Sequence, residues 1–296
     1  MPHHLTRRSA LASAGAGAAV LSSGLGLVNA AAGRDITPEM QAIERRIGGR
    51  VGVSAFHAGS RLQVGYRADE RFPICSVFKL LAAACTLARA DRGDEDLERR
   101  ILFSERDLVS YSPVTRGRIH GNGMSLAELC EAAVTVSDNT AGNLLLASFG
   151  GPPGLTAYVR TLGDEVTRLD RIEPDLNSAL PGDPQDTTAP AAILEDARVI
   201  LIGGGLKPTS RDTLMSWLTA SRTGDKRLRA GFPKGWRVGG KTGSGELGTA
   251  NDLVIASPPD AIPILVAAFI TGAKASDVKL NEALAEIGAK VVGALR

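Results

Sequence analysis

The amino-acid sequence predicts an α+β fold: an antiparallel sheet flanked by helices, with an all-helical lobe inserted between its two halves. Three observations lead to it. Segments with the two-residue strand period sit at both ends of the chain, segments with the helical period fill the middle, and neither an internal repeat nor an interdomain linker divides them. Residues 33–70 and 216–296 are therefore assigned to an α/β lobe, and residues 71–215 to the helical lobe. The 296 residues are 44% hydrophobic and 22% charged, enough chain for a sizeable core. Aromatic residues make up only 4%, so aliphatic side chains must fill it.

The elements follow in order. Residues 1–32 read as a removable export leader. Arg7 and Arg8 precede an uncharged Gly/Ala/Ser/Leu stretch that runs to Arg34, and Val28-Asn29-Ala30 has the small residues of a cleavage site. The paired arginines give it a twin-arginine look. The stretch is too weakly apolar for a retained membrane anchor, and without a Cys it offers no lipid attachment. Thr37-Pro38-Glu39 starts a helix with Pro at its first position; Met40, Ile43 and Ile47 mark its apolar face and Gly48-Gly49 ends it. Residues 50–56 and 61–66 alternate as two strands around the Ala58-Gly59-Ser60 turn. From Val77 to Ala90 the period is helical. It returns over 125–136, where Ser125 and Glu128 form a capping box, and over 139–149 and 189–202. Residues 171–190 are rich in Pro, Asp, Asn and Gly with neither period, and so long a structureless loop is usually functional. Strands follow at 237–244, 249–257 and 263–271. The last helix starts at Ser276 and carries Leu280, Leu284, Ile287 and Val291 on one face.

Charge narrows the function classes. The formal net charge is +2, from 34 basic and 32 acidic residues; removal of Arg7 and Arg8 with the leader leaves 32 against 32. No basic excess remains to hold nucleic acid or an anionic membrane surface. The residues of a metal site are also missing. His3 and His4 belong to the leader, His57 and His120 lack ligand spacing, and Cys75, Cys85 and Cys130 are scattered. No metal or other cofactor is expected.

Two glycine motifs in the tail are decoys. Gly235-Trp236-Arg237-Val238-Gly239-Gly240-Lys241-Thr242 fits a phosphate loop, and Gly243-Ser244-Gly245-Glu246-Leu247-Gly248 fits a dinucleotide loop. Each needs a helix opening directly after it so that backbone N–H groups face phosphate, yet a strand-like run follows at Thr249. The chain also lacks a Gly-x-Ser-x-Gly elbow, which argues against an α/β-hydrolase.

Four short segments remain. Ser76-Val77-Phe78-Lys79 at a helix start puts Lys79 on the face of Ser76, where a poorly solvated amine can take the serine proton. The same spacing recurs at Ser276-Asp277-Val278-Lys279, read as a helix cap, so spacing alone proves nothing. Ser137-Asp138-Asn139 lies between two helices, where it can cap one of them or aim a hydroxyl and an amide into a cleft. Lys241-Thr242-Gly243 sits on a strand and is either a solvated end or a carboxylate site. Glu173 and Asn177 stand four residues apart in the long loop, where they could hold a water between them.

Taken together and in this order, these segments resemble the class A serine β-lactamases. The likeness extends through Asp107–Thr115, Ser137–Leu146, Arg171–Asn177 and Asp186–Pro190, and covers the chain from about residue 37 to its end. The resemblance implies a β-lactamase/D,D-peptidase-like fold with the site between the lobes. Ser76 would attack the lactam carbonyl, with Lys79 in the proton network and either Lys79 or Glu173 as acylation base. The backbone N–H groups of Ser76 and Ser244 would form the oxyanion hole. Ser137 would protonate the leaving nitrogen, Asn139 would bind the substrate's side-chain amide, and Lys241 and Thr242 its carboxylate. Tyr111 would line the cleft, Glu173 with Asn177 would activate the deacylating water, and Arg171 with Asp186 would clamp the loop. Proline after Glu173 makes a cis peptide affordable there.

Departures from the family pattern carry further expectations. The arginine often found nine residues past the Lys-Thr-Gly lysine is Ala250 here, which leaves Arg227 to supply that charge. The usual disulfide partner of Cys75 is Gly245 and that of Cys130 is Ala83, so free thiols are expected. The rivals are a penicillin-binding D,D-peptidase or transpeptidase and a β-lactam-sensing domain that stays acylated. Glu173 with Asn177 decides against the first, and the lack of a tether and signalling domain against the second. The expected protein is exported to the periplasm or secreted, off the membrane once the leader is gone, monomeric, and takes a small β-lactam as its only partner.

Overall fold

A computed structural model describes residues 31–296, so the leader assignment falls outside them except at Ala31 and Ala32. In chain order the regular elements are β1 (Ala31–Ala32), α1 (Thr37–Ile47), β2 (Arg50–His57), β3 (Leu62–Tyr66), β4 (Phe72–Pro73), α2 (Phe78–Arg92), β5 (Arg100–Ile101), β6 (Met124–Ser125) and α3 (Leu126–Thr135). Then come α4 (Asn139–Ser148), α5 (Gly151–Leu162), β7 (Thr187–Thr188), α6 (Pro190–Leu201), α7 (Pro208–Ala220), α8 (Leu228–Gly231), β8 (Arg237–Gly245), β9 (Thr249–Ser257), β10 (Ile264–Thr271) and α9 (Asp277–Ala294).

The main sheet has the order β1-β3-β2-β10-β9-β8 and is antiparallel except for the β1–β3 pair. Strands from the two ends of the chain meet at β2 and β10, in register from Arg50 opposite Thr271 to His57 opposite Ile264. The sheet begins at Ala31, two residues before the leader boundary drawn from the sequence. Alternation sorts the side chains into two cores. Val51, Val53, Val266, Ala268 and Ile270 pack with α1 and α9. Leu253, Ile255, Leu265, Ala267 and Phe269 join the helices of the middle of the chain.

Local chemistry explains the element ends. Gly48 closes α1 in the left-handed conformation, φ 66°, with its N–H on the Glu44 carbonyl. Pro38 sits at the second position of α1, one later than expected, where its missing N–H is equally harmless. Ser125 and Glu128 form the capping box. Ser276 stands at the N-cap of α9 but makes no side-chain cap bond. Lys279 pairs with Glu282 at 2.7 Å, so the second Ser-x-x-Lys is an exposed helix start. Burial of Leu280, Leu284, Ile287 and Val291 contributes about 1.5–3 kcal/mol each, far more than a cap. Two helices, α5 and α7, are separate elements that the periodicity did not resolve; both open on Pro within the first turn. A membrane-spanning helix is absent among the described residues.

Candidate active site

The nucleophile-bearing segment is held from two sides before it enters α2. The Asn251 amide of β9 donates to the Pro73 and Ile74 carbonyls at 2.8 and 3.3 Å, and the Ile74 N–H donates to the Asp186 carbonyl at 2.8 Å. Cys75 is thereby held at φ 46°, a left-handed conformation that a non-glycine residue adopts only under restraint from its surroundings. Ser76 lies in a single 3-10 turn, Cys75–Val77, and not in the α-helix itself. Gly243 and Gly245 let β8 approach this turn. A Cβ at 243 would stand 3.1 Å from the Cys75 Cβ, and one at 245 would stand 2.8 Å from its Sγ.

Lys79, one turn along α2, is fully buried and points back at Ser76. Its ammonium donates to the Ser76 Oγ at 3.0 Å, the Ser137 carbonyl at 2.9 Å and the Asn139 Oδ1 at 2.5 Å, and it lies 2.9 Å from the Glu173 Oε1. Ser76 donates its own proton to that same carboxylate oxygen at 2.9 Å. Burial lowers the Lys79 pKa from its ordinary value, and the Glu173 charge opposes the shift. An ion pair this deep is costly to break, because the surviving charge is left uncompensated.

Glu173 comes from the long loop, which contains a 3-10 turn over Asp175–Asn177 and a cis Glu173–Pro174 peptide. Asn177 donates to the Glu173 Oε2 at 2.5 Å, so the amide and the carboxylate lie side by side. Asn143 on α4 brackets the Glu173 backbone: its Nδ2 donates to the carbonyl and its Oδ1 accepts from the N–H, both at 2.9 Å. The loop ends are tied where Arg171 meets Asp186 at 2.5 Å and Asp183 at 3.0 Å, while Asp186 also accepts the Asp170 and Arg171 N–H groups.

Ser137-Asp138-Asn139 combines the two readings open from sequence. Asp138 caps α4 by accepting the Ala141 N–H and also accepts from the Val114 and Thr115 backbones. That anchoring leaves Ser137 at φ 61° with its hydroxyl between Lys241, at 2.9 Å, and Lys79, at 3.4 Å. Asn139 donates to the Ser110 carbonyl, which leaves its second amide hydrogen for a ligand.

Lys241 on β8 is fully buried, which excludes a solvated strand end. Burial first, then the Lys79 and Arg227 charges, pull its pKa well below the usual lysine value. Thr242 donates to the Thr223 Oγ1 at 2.8 Å. Arg227 donates to the Gly243 and Asn251 carbonyls, to the Asn281 Oδ1 and to the Ser244 Oγ at 2.7–2.9 Å. Its guanidinium therefore lies against the β8 segment while Ala250 is buried. Ser76, Tyr111, Ser137, Asn139, Asn177, Thr223, Arg227, Thr242 and Ser244 line one cleft of about 450 Å³, a size suited to a small ligand. Tyr111 is 61% exposed at its mouth.

Every site residue expected from sequence converges on this cleft or on the loop beside it. Sequence reasoning missed Asn143 and Asn251. Asn143 stands four residues past Asn139, on the same face of α4, and Asn251 is an amide in a strand buried on both faces. Spacing and strand burial marked the two positions, but not the backbone groups that they hold. His57 has a structural place, its Nδ1 accepting the Gly59 and Ser60 N–H groups of the turn. The three cysteines are buried and unbonded.

Comparison with known proteins agrees with this geometry. A family model described as the beta-lactamase enzyme family matches residues 35–295. Beta-lactamase AST-1 of Nocardia asteroides is 47% identical over 258 residues, 87% of this chain and 83% of that protein. Beta-lactamase Toho-1 of Escherichia coli is 42% identical over 257 residues, 87% and 88% of the two chains. The solved structure of an ancestral class A β-lactamase superposes with a TM-score of 0.86 at 52% identity, covering 88% of this chain and all of that one. The buried serine–lysine–glutamate cluster thus belongs to a chain that is a member of the class A β-lactamase family.

Proposed function

We propose that this chain opens the β-lactam amide through a Ser76 acyl-enzyme and releases it by Glu173-assisted hydrolysis, removing the antibiotic. One observation carries the reading. Ser76 donates to Glu173 while accepting from Lys79, so the proton acceptor and the group that stabilises the resulting alkoxide are already in place. Glu173 takes the Ser76 proton as Oγ bonds to the lactam carbonyl carbon. The backbone N–H groups of Ser76 and Ser244 receive the developing oxyanion, supported by the close approach of Gly243 and Gly245 to Cys75. Ser137, between two lysines, delivers a proton to the departing nitrogen and is reprotonated through Lys79 by the proton held on Glu173, which leaves Glu173 a carboxylate again. Water held by Glu173 and Asn177 then attacks the ester carbonyl, and Ser76 recovers its proton.

Substrate binding divides among the remaining residues. Lys241 and Thr242 take the carboxylate, with Arg227 supplying the guanidinium that Ala250 lacks; its bond to the Ser244 Oγ supports that role. Asn139 binds the side-chain amide and Tyr111 covers the mouth. Arg171 and Asp186 hold the loop that carries Glu173. The chain divides into an α/β lobe, 33–70 and 216–296, and a helical lobe, 71–215, with the cleft between them. It acts as an exported monomer after loss of its leader. The leader's arginine pair and apolar stretch support export.

A chromogenic cephalosporin tests the reading. The protein beginning after Ala30 should turn over many equivalents, and Glu173→Ala should stop with one acyl group on Ser76, seen by mass spectrometry. A wild-type protein that stops after one equivalent overturns the hydrolase reading in favour of a peptidase or a sensor.

A further inference from the structure

Thr223 lines the cleft beside Arg227 and Thr242, and the chemistry above gives it no part. It follows the end of α7 in a turn packed against the edge of the sheet. The Arg229 guanidinium donates to the Ser221 carbonyl at 2.9 Å, and the Arg227 N–H donates to the Gly224 carbonyl at 2.9 Å. The Leu228 N–H donates to the Asp252 Oδ2 of β9 at 3.1 Å. Gly224 lies against β8, where a Cβ would stand 3.4 Å from the Thr242 Cγ2. Held in this way, one turn brings Thr223 to Thr242 and Arg227 to Ser244.

A threonine hydroxyl has one hydrogen to give and two lone pairs to receive. The Thr242 hydroxyl donates to the Thr223 Oγ1 at 2.8 Å, and the Ser221 Oγ stands 3.1 Å from the same oxygen. Ser221 is only 1% exposed, and its hydroxyl has no other partner among the described residues. Shut off from water, its hydrogen is satisfied only by donation to Thr223. Both lone pairs of Thr223 are then filled, and its own hydrogen has no acceptor left within the chain. Two incoming bonds also polarise that O–H and make it a stronger donor.

We propose that Thr223 is a substrate-binding residue: its hydroxyl donates to the carboxylate of the β-lactam, beside Lys241 and Thr242. The hydrogens balance before and after binding. Before it, Thr242 and Ser221 both donate to Thr223. When a carboxylate arrives, the Thr242 hydrogen turns to one of its oxygens, Ser221 still donates to Thr223, and Thr223 donates to the other oxygen. Thr223 thereby favours an acidic substrate over its neutral ester. The inference rests on the reading of Lys241 and Thr242 as the carboxylate-binding edge.

The test compares a chromogenic cephalosporin with the methyl ester of its ring carboxylate. Thr223→Val keeps the shape and removes the hydroxyl. It should lower kcat/KM for the acid by about tenfold, mostly through KM, and change that for the ester by less than about twofold. Thr223→Ser keeps the hydroxyl and should stay within about threefold of wild type on the acid. Because Thr223→Val strands the Ser221 hydroxyl, the double variant Ser221→Ala, Thr223→Val should show the same acid-to-ester ratio, with far-UV circular dichroism reporting the fold of each. Thr242→Val tests the edge itself. A ratio that falls in Thr242→Val but stays at the wild-type value in the folded Thr223→Val variants overturns the proposal alone. Equal losses on acid and ester in Thr223→Val overturn it too, because the turn then serves only the fold. A ratio that neither Thr242→Val nor Thr223→Val moves overturns the reading of that edge together with the proposal.

Discussion

Replacing Asn143 by Ala should damage deacylation more than acylation. The side chain makes two bonds of 2.9 Å to the Glu173 backbone, one as donor and one as acceptor, from a helix whose own position is fixed by the Asp138 cap. Truncation leaves the N–H and the carbonyl of Glu173 unpaired, at a residue that is only 1% exposed. Leaving buried polar groups unpaired costs about 1–3 kcal/mol each, so the loop should lose on the order of 2–4 kcal/mol after relaxation and water entry. The loop keeps its other anchors at Arg171 and Asp186, so the chain should still fold. Glu173 should then sample positions displaced by a fraction of an ångström or more, and a displacement of about 1 Å can cost ~10²-fold in rate. Stopped-flow with a chromogenic cephalosporin separates the burst, which reports acylation, from the steady state, which reports deacylation. Urea unfolding measures the stability change in parallel. A deacylation rate in Asn143→Ala within twofold of wild type would show that the bracket does not position Glu173.

Two further predictions concern stability and packing. Asp196 on α6 has an unpartnered Oδ2, as does Asp164, and burial followed by the Asp164 charge pushes its pKa up to about 9. Unfolded, it titrates near ~3.9, so the folded state holds the extra proton between about pH 4 and 9 and loses stability as pH rises through that window. Asp196→Asn should flatten this slope: relative to wild type, urea unfolding should show it gaining up to about 4 kcal/mol between pH 5 and 8. Parallel stability curves for the two proteins would remove the premise. At Gly245, a Cβ would meet the Cys75 Sγ at 2.8 Å and the Asn177 carbonyl at 2.9 Å. Gly245→Ala should therefore cost about 1–3 kcal/mol and slow turnover through Asn177; an unchanged thermal midpoint and kcat would contradict the contact.

Much of the outcome was written locally. Strand and helix periods, the Ser125–Glu128 capping box and the Gly48 stop located most elements, because each depends on residues within a turn or a pleat of one another. The residue types Ser76-x-x-Lys79, Ser137-Asp138-Asn139, Glu173 with Asn177, and Lys241-Thr242-Gly243 named the chemistry for the same reason: spacing shows which groups travel together. Local pattern could not separate Ser76-x-x-Lys79 from Ser276-x-x-Lys279. One lysine is fully buried with Glu173 against it, and the other pairs with a neighbouring glutamate at the surface. That difference is made by partners 97 residues away for Ser76 and Glu173, and 104 for Ser137 and Lys241. Proline at the start of α5 and α7 was visible, yet their apolar faces gained meaning only against the neighbours they pack on. Asn143, Asn251 and Asp252 were three polar letters until tertiary contact gave each a backbone group to hold. Their roles come from the exclusion of water, which makes every unpaired donor or charge costly and depends on what the folded chain stacks around each group.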